Sequence, residues 1–260
     1  MLSARQIQDY RRDGVLFPIP VLSDGEVAAF RAAVEELRAV LGEEVRYRIS
    51  LPHLHFRSAW DLAIHPAVLD VAESLLGPEL LIKGSVVLIK PAGDPAFVAW
   101  HQDGTYSRLD EDDNVSAWIA LADSTEDNGC LRVIPGSHRE GLLPHTESAD
   151  EHHMLARRPQ VAAAVDESRA VSVVLRAGEM SLHHSDILHS SQPNRSTTDR
   201  VGYVVRFVTP RVSGSTIPVV RARGRAACPH LEILAQPPPA DLRTSLALRE
   251  EFFRHSSAAR

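Results

Sequence analysis

A histidine and an aspartate two residues apart, His101 and Asp103, stand within Ala99-Trp100-His101-Gln102-Asp103-Gly104, with His189 and Arg200 further along the chain. Side chains of an extended strand alternate faces with a period of two, so this pair is expected to point to one side. A third ligand from a distant strand would complete a set of two imidazoles and one carboxylate. Such a facial set suits a non-haem Fe(II) that keeps positions open for oxygen chemistry. An isolated H-x-D recurs by chance in many proteins, so the surrounding chain must carry the argument.

At 260 residues the chain can bury one sizeable core, and a single domain is the simplest organisation. With 44% hydrophobic and 24% charged residues it has the composition of a soluble globular protein. The net charge of −6 offers no basic footprint for nucleic acid or an anionic membrane. Arg221, Arg223 and Arg225 gather near the C-terminal part, where a solvated loop is expected rather than a polyanion site. No apolar run reaches the length of a membrane span, and the N-terminus lacks an apolar signal core. Cys130 and Cys228 have neither metal-site spacing nor the density of a secreted scaffold, so reduced thiols in the cytoplasm are expected.

The elements that must position the pair fall into two textures. Residues 1–79 read mainly as helix: Ser3 to Gln6 and Ser23 to Glu26 match the capping box. Val27, Phe30, Val34, Leu37 and Leu41 then recur at helical steps up to Gly42, and Pro66 opens another helix that stops at Gly77. Residues 14–19 between them look like a strand, and His53 and His55 alternate on a strand-like segment near a possible entrance. From Leu80 the chain is β-rich, with apolar runs at 80–90, 116–122, 130–134, 171–175, 178–183 and 200–208. Residues 139–170 are polar and His-rich, and are expected to form a lid-like insert with some helix. A short final helix follows Pro237-Pro238-Pro239, within a C-terminal extension over 211–260. Helices followed by many short strands predict an α+β fold. Its core (80–210) is a double-stranded β-helix, a cupin-like jelly roll, with the N-terminal helices packed on one sheet.

The block Leu188-His189-Ser190-Ser191-Gln192-Pro193-Asn194-Arg195-Ser196, with Arg200 beyond it, completes a larger pattern. The chain resembles the phytanoyl-CoA dioxygenase family of Fe(II)/2-oxoglutarate oxygenases over most of its length. Leu2-Ser3 through Tyr10, Asp13-Gly14 and Leu22-Ser23 resemble that family's N-terminal segment. Trp100-His101-Gln102-Asp103 followed by Tyr106 resembles its proximal metal motif, and the His189-to-Arg200 block its distal one. Trp118-Ile119-Ala120-Leu121, Asn128-Gly129-Cys130-Leu131 and Pro135-Gly136-Ser137-His138 resemble its middle signature.

The resemblance implies that His101, Asp103 and His189 are iron ligands and that Arg200 holds the distal carboxylate of 2-oxoglutarate. Ser191 is implied as a hydroxyl partner of that carboxylate, and Trp118 as a neighbour of the cosubstrate. A planar guanidinium suits the anchoring role because it can donate two parallel hydrogen bonds. The implied cofactors are Fe(II), 2-oxoglutarate and O2. The implied activity is hydroxylation of an unactivated C–H bond in a small organic metabolite, in natural-product or small-metabolite metabolism. Desaturation, ring closure and epimerisation use the same ligands. A carboxylate at position 103 favours hydroxylation over halogenation. The expected partner is a small-molecule substrate, with no nucleic acid or membrane, for a monomer or homodimer.

Plainer readings compete at several positions, since 13 histidines make decoys easy. His183 and His184 rival His189, which the spacing to Arg200 and the Ser-x-Pro-Asn-x-Ser tail favour. Arg206 shares a strand face with Arg200, and pairing with an acidic neighbour outweighs substrate contact. His138 reads as a turn residue, and His145, His152 and His153 as solvated lid residues. A non-catalytic metal-binding jelly roll predicts loss of a ligand or of the anchoring arginine, yet all four positions are intact. A zinc hydrolase on a similar barrel would need a water-activating base and no oxoacid anchor.

Overall fold

The computed structural model describes residues 1–105, 113–155, 157–212, 215 and 217–258. Tyr106 lies outside the described residues.

Helix α1 (Ala4–Asp13) and helix α2 (Asp24–Leu41) flank strand β1 (Val15–Pro20). Both expected capping boxes form: Ser3 and Ser23 accept the amides of Gln6 and Glu26, whose side chains return a bond to the cap amide. Strand β2 (Arg48–Ser50) precedes α3 (Pro52–His55), α4 (Arg57–Ala63) and α5 (Pro66–Leu76). Pro52 and Pro66 sit in first turns, where a missing amide leaves no helical bond unmade.

The β-rich part runs through β3 (Leu80–Lys90), β4 (Val98–His101), β5 (Asn114–Ala120), β6 (Leu131–Val133), β7 (His145–Glu147) and β8 (Pro159–Val161). It continues with β9 (Val171–Val173), β10 (Glu179–His183), β11 (His189–Ser191) and β12 (Arg200–Val208). Strands β13 (Val219–Arg223) and β14 (Ile233–Leu234) precede helix α6 (Leu242–Ala258). The larger sheet has the order β1-β10-β5-β12-β3-β13-β14, with β2 also on β3. The smaller sheet has the order β4-β11-β6-β9, and β7 pairs with β8 separately. This is the expected α+β jelly roll.

Strand alternation divides the larger sheet into two faces. On β12, Val201, Tyr203, Val205 and Phe207 join Val34, Leu37, Leu62 and Leu69 in the main core beneath the helices. Burial of each such side chain contributes about 1.5–3 kcal/mol, which is what fastens the N-terminal helices to this sheet. The opposite parity, Arg200, Val204 and Arg206, faces a cavity toward the smaller sheet. There Trp118, Ala120 and Val204 pack against Val133, Val173, Leu175 and Ile187. The cavity is thus floored by one face of the larger sheet and walled by the smaller one.

Several expectations are corrected. Residues 139–170 contain no α-helix among the described residues; they carry the β7–β8 hairpin and two 3-10 turns. His53 and His55 lie on helix α3, started by Pro52, and His55 packs edge-on against Phe252 of α6 rather than at an entrance. His153 is buried, its ring 5.5 Å from Phe97, and is not a solvated lid residue. The final helix spans 17 residues and is not short. Arg221 and Arg223 belong to β13 instead of a solvated loop, and Arg223 pairs with Asp70 of α5 at 2.8 Å. Cys130 and Cys228 are buried free thiols. No helix among the described residues is long and apolar enough to cross a membrane.

Candidate active site

The antiparallel register of β4 and β11 sets His101 directly opposite His189. Their ring centroids are 4.1 Å apart. Each ring is anchored the same way: Nδ1 of His101 lies 2.9 Å from the Ala99 carbonyl, and Nδ1 of His189 3.0 Å from that of Ile187. A carbonyl oxygen only accepts, so each ring carries its proton on Nδ1 and leaves Nε2 as a lone-pair donor. One ligand atom from each of His101, Asp103 and His189 lies within 4.8 Å of the others. The expected metal residues therefore converge, presenting the nitrogen–oxygen donor set a ferrous ion takes.

The chain delivers Asp103 by a route other than strand alternation. Strand β4 ends at His101, and Asp103 opens a 3-10 turn over Asp103–Thr105. Gln102, buried between them, pins this turn: its Nε2 donates to the carbonyls of Gly141 (2.8 Å) and Asp186 (2.7 Å), and its Oε1 accepts from the Leu143 amide at 2.8 Å. Burial opposes ionisation of Asp103, but Arg206 and then His189 and His101 outweigh it and hold the carboxyl below its ordinary range. Arg206 Nη2 stands 2.9 Å from Asp103 Oδ2, the acidic pairing expected for this arginine. Burial, then the neighbouring His189, pushes the His101 imidazole well below its ordinary value. His183 lines the same cavity with its ring 5.4 Å from His189, outside the converging set.

Arg200 and Ser191 meet at the inner end of the cavity. Arg200 is 2% exposed, and its Nη1 donates to the Gly129 carbonyl and to Ser191 Oγ, the latter at 3.1 Å. Its guanidinium carbon stands 5.4 Å from the centre of the Trp118 ring. Gly202 lies beneath that ring: a Cβ there would come within 2.1 Å of Trp118 Cζ2. A residue unmarked by the sequence reading joins them. Lys90, opposite Arg200 in the β3–β12 ladder, donates to Ser191 Oγ at 2.6 Å and to the carbonyls of Ser191 and Gln192. Its signal was its parity with Val86 and Leu88, which turn inward to the cavity.

The residues present fit an acidic cosubstrate. Burial lowers Arg200 to about 10, and burial followed by the Arg200 charge lowers Lys90 to about 6. Arg200 Nε is buried without a partner, and no described carboxylate forms an ion pair with either cation. Uncompensated buried charge is costly, and an entering carboxylate relieves that cost. The cavity of about 250 Å³ spans from this cradle to the imidazole pair, with Trp118, Leu88, Val98 and Val204 along its walls.

Known proteins are similar to this chain in sequence and fold. The family described as phytanoyl-CoA dioxygenase (PhyH) matches residues 10–202. A probable alpha-ketoglutarate-dependent hypophosphite dioxygenase of Stutzerimonas stutzeri is 30% identical over 199 residues, 74% of this chain and 67% of that protein. L-proline trans-4-hydroxylase of Streptomyces griseoviridis is 31% identical over 224 residues, 76% of this chain and 83% of its own. Among solved structures, the apo non-heme monooxygenase ThoJ superposes with a TM-score of 0.78 at 31% identity, covering 98% of this chain and 100% of that one. The alpha-ketoglutarate-dependent carbocyclase SnoK from nogalamycin biosynthesis does so with a TM-score of 0.67 at 27% identity, covering 81% and 86%. Sequence match, fold and converging side chains agree: this chain belongs to the phytanoyl-CoA dioxygenase family and is an iron- and 2-oxoglutarate-dependent dioxygenase.

Proposed function

We propose that the protein hydroxylates an unactivated C–H bond of a small organic metabolite, as a single cytoplasmic dioxygenase domain over residues 1–260 that works as a monomer or homodimer. His101, Asp103 and His189 hold Fe(II), and Arg200 with Ser191 holds the distal carboxylate of 2-oxoglutarate beside Trp118. Bound there, iron and 2-oxoglutarate supply the oxidising chemistry, consuming O2 and releasing succinate and CO2. The chain's own contributions are geometric and electrostatic. The Nδ1–H bonds to Ala99 and Ile187 aim both imidazoles inward. Lys90 and Arg200 draw the cosubstrate acid to the inner end, and the apolar walls keep water from the reacting carbon.

The observation that carries this reading is the convergence of two carbonyl-anchored imidazoles and one carboxylate beside a buried arginine. Anaerobic addition of Fe(II) and 2-oxoglutarate is expected to produce a visible charge-transfer band, and alanine at 101, 103 or 189 to abolish it along with substrate-coupled succinate. An unchanged band in any of these variants refutes that ligand assignment.

A second reading, ring closure or epimerisation on the same ligands, is favoured by the likeness to SnoK and to the epimerase SnoN from nogalamycin biosynthesis. SnoN superposes with a TM-score of 0.62 at 26% identity, covering 80% of this chain and 83% of that one. A metabolite screen separates the outcomes by product mass. Hydroxylation adds one oxygen, ring closure removes two hydrogens, and epimerisation leaves the mass unchanged.

A further inference from the structure

Asp103 reaches the metal site from a turn, so whatever fixes that turn aims the ligand. The planar peptide joining His101 to Gln102 sets the direction in which the chain leaves strand β4. Its N–H, on the buried Gln102, donates to Nε2 of His145 at 3.1 Å. His145 stands on β7, in the insert over residues 139–170. Its Nδ1 lies 2.8 Å from the Leu143 carbonyl, so Nδ1 carries the proton and Nε2 keeps a lone pair for the Gln102 amide. The Leu143 amide in turn donates to the side-chain oxygen of Gln102 at 2.8 Å. Three residues thus close a ring: Gln102 amide to His145, His145 to the Leu143 carbonyl, and Leu143 amide to the Gln102 side chain.

The turn is gripped from two sides. On one, the Gly104 amide donates to the Ser185 carbonyl at 2.9 Å, and Gln102 Nε2 to that of Asp186 at 2.7 Å. That segment leads into β11 and His189, so this grip belongs to the scaffold of the distal histidine. The other grip comes from the insert, through His145, Leu143 and the Gly141 carbonyl. The insert's hairpin, β7 with β8, is a separate two-stranded sheet, and Leu155 beyond β7 contributes to the cavity wall. A buried amide without an acceptor is costly, so loss of His145 leaves the His101–Gln102 peptide free to turn toward another partner and to carry Asp103 with it.

We propose that His145 is a positioning residue of the metal site, which holds, through the Gln102 amide, the peptide that aims Asp103 and so couples the insert to the bound ion. It acts through Gln102 and not on the metal or the cosubstrate. The proposal rests on the iron reading of His101, Asp103 and His189. Coupling between two sites is reciprocal: an insert that strengthens metal binding is itself steadied by the metal to the same degree.

The full chain is titrated anaerobically with Fe(II), and separately with Co(II), by calorimetry. His145→Leu removes the acceptor. His145→Gln restores one, because its amide oxygen can take the Gln102 N–H while its NH2 serves the Leu143 carbonyl. H145L is expected to weaken binding of either metal about 10- to 100-fold, the usual cost of disturbing the groups that orient a metal ligand, and H145Q to recover most of it. In the parent and in H145Q, bound metal is expected to slow amide hydrogen exchange over residues 141–147, and in H145L that slowing is lost. A merely structural histidine lowers the unfolding midpoint of the metal-free chain and leaves both readouts as they are. His145→Asn, too short to reach the amide, replaces the leucine variant if that chain does not fold, and the exchange measurement on the parent needs no variant. Unchanged metal affinity in H145L, an equal loss in H145L and H145Q, or no metal-dependent slowing over 141–147 in the parent overturns the proposal. A parent that binds neither ion overturns the iron reading itself, and this proposal with it.

Discussion

Lys90 and Arg200 stand directly opposite one another in the β3–β12 ladder, and both donate to the hydroxyl of Ser191 on the facing sheet. Burial and then the Arg200 charge lower the Lys90 amine to about 6, and no described carboxylate pairs with either side chain. The arrangement suits the acid that the proposed function seats here, and the serine stitches the two sheets together at that point.

Replacing Lys90 with methionine keeps the stem and removes the buried amine. The carbonyls of Ser191 and Gln192 then lose this donor, and a buried acceptor left unsatisfied costs about 1–3 kcal/mol. The expected outcome is a loss of about 1–3 kcal/mol in unfolding stability. The KM for 2-oxoglutarate is expected to rise about tenfold for the lost charge-assisted bond. Thermal unfolding without cosubstrate and steady-state kinetics check the two halves, and an unchanged KM would make Lys90 a purely structural residue.

Arg200→Ala removes the proposed anchor. Loss of one partner from a buried charge pair costs on the order of 2–5 kcal/mol, or roughly 30-fold and upward in the 2-oxoglutarate requirement. The requirement for the organic substrate is expected to change far less. Equal effects on both would count against an anchoring role.

Gly202→Ala tests the seat of Trp118. A methyl group there meets the indole at 2.1 Å, so the ring must move off its place beside Arg200. Overpacking of this kind costs about 1–3 kcal/mol. In a chain of this size that lowers the midpoint by roughly 2–4 °C per kcal/mol. Adding Trp118→Leu is expected to recover part of the loss, and a double-mutant cycle measures the coupling.

Acid stability depends on helix α3. Burial, and then the charge of His55, lowers His53 from its ordinary value of 6.5 to about 3. Below pH 6.5 the unfolded chain takes up a proton that the folded chain refuses, so stability is complete above that value and falls as the pH drops toward 3. The expected slope is about 1.4 kcal/mol per pH unit for this group. His53→Asn is expected to flatten the denaturation-derived stability profile between pH 6 and 4 by about that amount; an unchanged profile would show that the folded imidazole takes up its proton over the same range as the unfolded one.

The capping boxes, the two textures of the chain and the converging triad were legible because each rests on short-range rules or on a motif of fixed spacing. What escaped depends on contacts made only in three dimensions. A lysine at the end of a strand reads as a solvated terminus, and Lys90 becomes a buried cation only once β12 lies beside it. His53 and His55 alternate like strand residues, but Pro52 starts a helical turn that α6 then covers. Asp103 was placed on the correct side for the wrong reason, since a 3-10 turn pinned by Gln102 and not strand pleating aims it. The β7–β8 pairing was invisible because each strand is only three residues long.

The two imidazoles come from the smaller sheet, whereas Arg200 and Lys90 come from the larger one. Ser191, two residues beyond His189 on β11, meets Arg200 at 3.1 Å, so the reach from imidazole to guanidinium runs along that strand and not across the layers. On the proposed assignment, oxaloacetate, one methylene shorter than 2-oxoglutarate, and 2-oxoadipate, one longer, are each expected to bind more weakly. Two steps of extended strand, roughly 6.5 Å, then set the span a keto diacid would bridge, a ruler written in backbone pitch.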